Sequence, residues 1–200
     1  MHTENNTPEL KTGDIVLFSG IERTSKLIKV CTKSKWSHVG LIIESQKHDF
    51  LTMWESSNSK GIRDVEAGVH REGVRLVSFY DRVNAFKGEI SIRKLLGGVL
   101  TDENINNLVE FKNELNGRPY ERNKFQLMKA SKGLALKNKY EDLSSLFCSE
   151  LVAEAYQRLG LLPEEKPSND YAPVDFSHDK IKLLQRNFYL SEELEISTGV

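Results

Sequence analysis

A chain of 200 residues, 38% of them apolar, has enough hydrophobic material for one packed domain, and no low-complexity run or internal repeat interrupts it. Its 28 basic and 29 acidic residues leave a net charge of −1, so composition gives no reason to expect nucleic acid as a partner. The opening MHTENNTPEL is polar; no signal peptide or transmembrane anchor is visible, and two cysteines without an export signal are expected to stay reduced in a cytoplasmic protein.

Residues 1–10 read as a flexible tail and 11–200 as a single domain. Gly13 and Asp14 mark a turn, and the apolar run at 15–18 predicts a buried strand. Residues 21–32 predict a helix. Leu27, Ile28 and Cys31 share its apolar side, so Cys31 is expected in the core. Five basic residues from Arg23 to Lys35, against the single acid Glu22, read as a solvated face. His38 opens the next strand, through Ile43, and a second strand follows at 50–56 with Glu55 near its end. If the two form a hairpin, the start of the first lies beside the end of the second, which makes His38 and Glu55 neighbours.

Residues 57–73, rich in glycine and charge, read as an exposed loop in which His70 is solvated. Strands are expected at 74–79 and 90–95. A helix capped by Thr101 follows at 102–115, with Ile105, Leu108, Val109 and Leu115 facing inward. GRPY at 117–120 ends it. The basic stretch 124–140, interleaved with Leu127, Met128 and Leu134, reads as an amphipathic connector. Beyond residue 163 come a loop to 174, a helical turn or two, and a strand at 188–196.

The most informative stretch is 142–159, DLSSLFCSELVAEAYQRL. Phe147, Leu151, Ala155 and Leu159 recur every four residues, as one face of a helix requires, and Gly160 with Pro163 stops it. Ser144 and Ser145 are placed to cap it, which would set Cys148 in the first turn. The unpaired N–H groups and the helix dipole there favour an anion, hence thiolate over thiol. The alternative is a small buried cysteine in the core. A thiol nucleophile needs a base to take its proton, and that base needs a polar group to fix its ring. His38 and Glu55 supply both, with Ser56 and Asn58 as substitutes for the third position. The backbone N–H of Cys148 is a candidate oxyanion donor. His48 and His178 each stand beside an aspartate, but no third ligand lies at metal spacing, so neither metal nor cofactor is expected.

Four segments together, GDIVLF (13–18), SHVGLII (37–43), WES (54–56) and FCSELVAEAY (147–156), resemble the circularly permuted branch of the NlpC-type, papain-like cysteine peptidases and amidases. That branch includes YiiX-like and YebB-like proteins and, more distantly, the lecithin:retinol acyltransferase group. GRPY at 117–120 and APVDF at 172–176 are also similar to its pattern, and the likeness covers about residues 10–176. It implies an α+β fold in which a small antiparallel sheet precedes the cysteine helix packed on it. It implies Cys148 as nucleophile, His38 as base and Glu55 in the variable third position. Asp14, in the recurrent GD turn, and Tyr120 are its candidates for contacting substrate. The activity implied is hydrolysis of an amide or thioester through an acyl-enzyme. The alternatives are acyl transfer, as in the lecithin:retinol acyltransferase relatives, and a binding module for an amino acid or peptide that keeps an unused triad. Substrates of those classes are peptides, amino-acid conjugates or lipid amides. The basic segments 22–35 and 124–139 leave peripheral contact with an anionic membrane open.

Overall fold

The computed structural model describes residues 9–116 and 144–196; GRPY, Tyr120 and the basic stretch 124–140 lie outside the described residues. Six strands form one sheet: β1 (Ile15–Gly20), β2 (His38–Ile43), β3 (Thr52–Ser57), β4 (Gly73–Ser78), β5 (Gly88–Arg93) and β8 (Leu194–Ile196). Their spatial order is β4-β3-β2-β1-β5-β8, and every neighbouring pair is antiparallel. A separate short ribbon pairs β6 (Leu95–Leu96) with β7 (Tyr189–Leu190). Four helices complete the described fold: α1 (Arg23–Thr32), α2 (Phe79–Ala85), α3 (Asp102–Leu115) and α4 (Ser144–Arg158).

Period-two alternation divides the apolar residues of the sheet between two layers. Ile15, Leu17, Val39, Leu41, Ile43, Trp54 and Leu76 face α4 and α3. Val16, Phe18, Ile42, Met53, Val77, Ile90 and Ile92 face the opposite way, against Phe79 and Val83 of α2 and Ile62 of the loop before β4. That loop is therefore more than a solvated connector. It buries Ile62 and Asp64, while His70 stays exposed as expected. α3 begins at the Thr101 cap, where Thr101 and Asn104 exchange side-chain-to-backbone hydrogen bonds. Its fully buried inward residues are Leu108 and Phe111; Leu115 is half-buried and packs against the same core as expected, while Val109 is half-buried outside it.

The tail is closed by a buried arginine. Arg93, on the α4 side of β5, donates from Nε to the Ser191 carbonyl (2.7 Å) and from Nη2 to that of Leu190 (3.1 Å). Its Nη1 reaches the carbonyls of Phe176, Ser177 and Ile181 at 2.7–2.9 Å. One planar fork thus gives a donor to five backbone carbonyls. Arg93→Met keeps much of the side-chain length but leaves these carbonyls without a donor. The expected loss is about 3 kcal/mol or more, since each stranded buried group costs about 1–3 kcal/mol. In a chain of this size that lowers the melting temperature by roughly 10 °C. A thermal melt within about 2 °C of wild type would show that the fork does not hold the tail.

Candidate active site

Cys148 is fully buried on α4, the helix that packs across β2 and β3. Leu151, Val152, Ala155 and Tyr156 face the sheet and its flanking loops; all are buried. Two hydrogen bonds fix the helix lengthwise. Tyr156 donates its hydroxyl to the Gly13 carbonyl at 2.6 Å, and Ser149 donates to the Tyr171 carbonyl at 2.7 Å. Burial holds the Tyr156 phenol well above its usual range, so it remains a donor. One expectation changes here. α4 opens at Ser144, so Cys148 is four residues in rather than in the first turn. An amide at that depth already has an intrahelical acceptor, and the dipole effect fades beyond the first turn. The helix terminus therefore contributes little at Cys148, and its own N–H is not free to serve as an oxyanion donor.

His38 is the first residue of β2, paired with Phe18 of β1. The residue before it anchors the strand entry: Ser37 donates its hydroxyl to the Phe18 carbonyl (3.1 Å) and accepts from the Gly20 N–H (3.1 Å). The Phe18 ring lies 5.4 Å from the imidazole, centroid to centroid. Gly40 follows two residues on, on the same face as His38. A Cβ there would come within 2.7 Å of the Met53 sulfur, so the glycine of SHVG is set by close packing.

Glu55 sits on β3 and points to the face away from α4. The hairpin register pairs Leu41 with Trp54, which brings Glu55 diagonally beside His38. The distance from His38 Nε2 to Glu55 Oε2 is 2.8 Å. The imidazole also makes a side-chain hydrogen bond with Cys148. His38 thus spans the end of the sheet, with the carboxylate on one face and the cysteine of the helix layer on the other.

The carboxylate has two further partners that the sequence did not reveal. Arg75, directly opposite Glu55 on β4, reaches Oε1 through Nη2 (2.7 Å) and Nε (3.1 Å). Arg82 of α2 donates from Nε to Oε2 at 3.0 Å, sharing that oxygen with His38. Arg75 also donates to the carbonyls of Ser59, Ile62 and Arg71, tying the loop before β4 to the carboxylate. The Arg82 guanidinium stacks over Phe18 and Phe86, 4.6 and 5.2 Å from the ring centroids.

Burial alone would raise Glu55, but Arg82, His38 and Arg75 outweigh it and hold the carboxyl well below its usual range. Burial alone would push the imidazole down. The Cys148 sulfur opposite it and the Glu55 carboxylate reverse that and raise His38 to about 9.

The remaining candidates are placed elsewhere. Asp14 stands just before β1, at the end of the strand away from Phe18 and His38. Its two oxygens accept from the Lys11 N–H (2.9 Å) and the Leu95 N–H (2.7 Å), so it ties a turn to β6. Ser56 turns toward the α4 side of β3, and Asn58 is exposed; neither takes the place of Glu55. Cys31 is exposed rather than packed in the core, because α1 turns Ile28 inward and carries Leu27, Val30 and Cys31 outward. The two cysteines form no disulfide. A signal for α2, and with it Arg82, was present: Ser78 and Asp81 have the spacing of a helix cap, and Ser78 accepts from the Asp81 N–H.

A sheet of antiparallel strands followed by a cysteine helix, with an imidazole between thiol and carboxylate, defines a permuted papain-like arrangement. The family model described as "permuted papain-like amidase enzyme, YaeF/YiiX, C92 family" matches residues 9–180, and the chain belongs to that family. Among solved structures, the chain is similar to the metalloprotein YiiX from Escherichia coli O157:H7, with 20% identity and a TM-score of 0.49. The match covers 75% of this chain and 66% of that one. No curated protein matches the chain in sequence. Among the described residues, no three His, Cys, Asp or Glu side chains gather as a metal-binding group. No described helix is long and apolar enough to cross a membrane.

Proposed function

We propose that the protein hydrolyses an amide or thioester bond through an acyl-enzyme on Cys148, with His38 as base and Glu55 holding its ring. The observation that carries this reading is one imidazole hydrogen-bonded both to Cys148 and, at 2.8 Å, to a fully buried carboxylate. With Glu55 on Nε2, the nitrogen left for the thiol is Nδ1. His38 takes the Cys148 proton, and the sulfur attacks the substrate carbonyl carbon. The C–N or C–S bond then breaks as the imidazolium returns its proton to the leaving amine or thiol. In the second half, His38 removes a proton from water, the hydroxide attacks the acyl carbon, and the carboxylic acid departs as the thiol is regenerated. Glu55 keeps its charge throughout, because Arg75 and Arg82 hold it ionised.

The experiment that tests the reading is labelling with an acyl-thioester probe, followed by mapping of the modified residue. The adduct is expected on Cys148, with its yield abolished in His38→Ala. A probe that modifies only Cys31, which is exposed, would remove Cys148 as nucleophile.

Activity should also report the His38 value. The imidazolium protonates the leaving group, so kcat/KM should fall as pH rises through about 9. Glu55→Gln removes a charge that raises His38, so the alkaline limb should move to lower pH. A limb unmoved by that substitution would show that Glu55 does not support the imidazolium.

A further inference from the structure

We propose that α1 is a membrane-contact helix that seats the active-site end of the protein on an anionic lipid surface. Two independent features meet on this helix. The first is apolar exposure in the wrong place for a soluble surface helix. Among the apolar residues of the helix, Ile28 is buried, whereas Val30 is 75% exposed, Leu27 49%, and Ile21, just before the helix, 58%. On a 3.6-residue wheel Leu27 and Val30 fall on one outward side, with Arg23 between them. The second is charge. Lys26, Lys29 and the C-cap Lys33 lie along the flank beside Val30, and the one acid in residues 21–33 is Glu22. Aliphatic residues pointing outward among cations are the pattern of a helix lying in a lipid interface, where the chains take the apolar groups and the headgroups take the charges.

A second copy of the chain is a poor occupant, since a two-fold contact would set these cations against themselves. A folded acidic protein would need a matching concave face, because α1 presents a convex one. A fluid anionic surface needs no such match.

The position gives the contact a use. α1 is the connection from β1 to β2: the chain enters it from Gly20 and leaves it for His38. Phe18, two residues before that exit from β1, is paired with His38. The exposed face therefore lies at the end of the sheet that carries the imidazole. Resting on the hydrolase reading above, this placement favours a substrate whose acyl group is held in a membrane over a freely diffusing peptide.

The test is co-sedimentation of the full chain with large unilamellar vesicles of phosphatidylcholine alone or with 30% phosphatidylserine, at low salt and at about 0.15 M. Wild type should bind the anionic vesicles at least about tenfold more than the neutral ones, and less tightly as salt rises. Val30→Asp and Leu27→Asp should each weaken that binding by about tenfold, with unchanged melting temperature and unchanged turnover of a water-soluble acyl-thioester. Equal binding to both vesicle types, or retention by both variants, would overturn the proposal. So would competition by polyglutamate as strong as that by vesicles, which would identify the face as a site for acidic protein. Lower melting in Val30→Asp would mean that another part of the chain covers the face, and a dimer lost in that variant would mean a second copy does. Failure here leaves the soluble-substrate activity intact, so it is distinguishable from failure of the hydrolase reading.

Discussion

Cys148→Ala is expected to lower turnover by roughly 10⁴-fold or more while the protein still folds, because nothing else in the site can form the acyl-enzyme. The replaced sulfur is buried among Leu151, Val152 and the β2 and β3 residues, so the substitution removes a single heavy atom from the core. His38→Ala should fall to a similar floor, since the thiol loses its base and the leaving group its acid. Cys148→Ser tests the chemistry more narrowly: the hydroxyl has nearly the same size but is far less acidic, so affinity for product should change little while turnover is lost. Glu55→Gln should be milder than either, because it weakens the orientation of the ring and leaves the nucleophile in place. Steady-state assays of the four variants, with thermal melts beside them, read this directly. Turnover in Cys148→Ala equal to wild type would end the account.

The second large effect is on stability. Glu55→Leu is expected to cost about 3–5 kcal/mol, the range for removing one partner of a buried ion cluster. Arg75 is 1% exposed and Arg82 9%, and the Glu55 carboxylate is the anion that both contact. Without it, two guanidiniums remain buried, and Arg75 loses the anchor through which it organises the carbonyls of Ser59, Ile62 and Arg71. The sign with pH follows from the direction of the shift. The folded carboxyl lies well below its ordinary 4.5, so its contribution is complete above that value and disappears as pH falls through the lower folded one. Wild type should therefore lose stability on acidification more steeply than Glu55→Leu, whose advantage is already gone at neutral pH. Urea titrations at neutral and acid pH measure both quantities. A Glu55→Leu protein as stable as wild type would mean the two arginines are satisfied by other groups.

How much of this could be read from the chain depends on what sort of signal each part leaves. The continuous apolar runs Ile15-Val16-Leu17-Phe18 and Val39-Gly40-Leu41-Ile42-Ile43 announce strands buried on both faces, and SHVG with FCSEL carries the family. The nearness of His38 and Glu55 was legible as well, because a hairpin of known strand lengths fixes which ends meet. The partners of Glu55 were not. Arg75 looks like any outward residue of an alternating strand, and nothing local says that its face is covered by α2. α2 itself is seven residues long, too short to show a period, and only the Ser78–Asp81 cap marks it. Arg93 was hidden for the same reason: its acceptors lie some 80 to 100 residues away in chain order. Cys31 was misread in the opposite direction. Leu27, Ile28 and Cys31 do share a side, but of these three only Ile28 is buried, and Leu27 and Cys31 look outward. The start of α4 was set too late because two serines before a cysteine look like a cap, whereas the helix already includes them.

The central claim is that Cys148 and His38 form one proton-sharing pair braced by Glu55. The most direct measurement is the titration of the His38 imidazole by NMR in wild type and in Cys148→Ala. The account predicts a wild-type value raised to about 9, falling clearly when the sulfur is removed, since burial then pushes down against Glu55 alone. A His38 that titrates at or below the ordinary 6.5 in wild type, and is unmoved by Cys148→Ala, would contradict it.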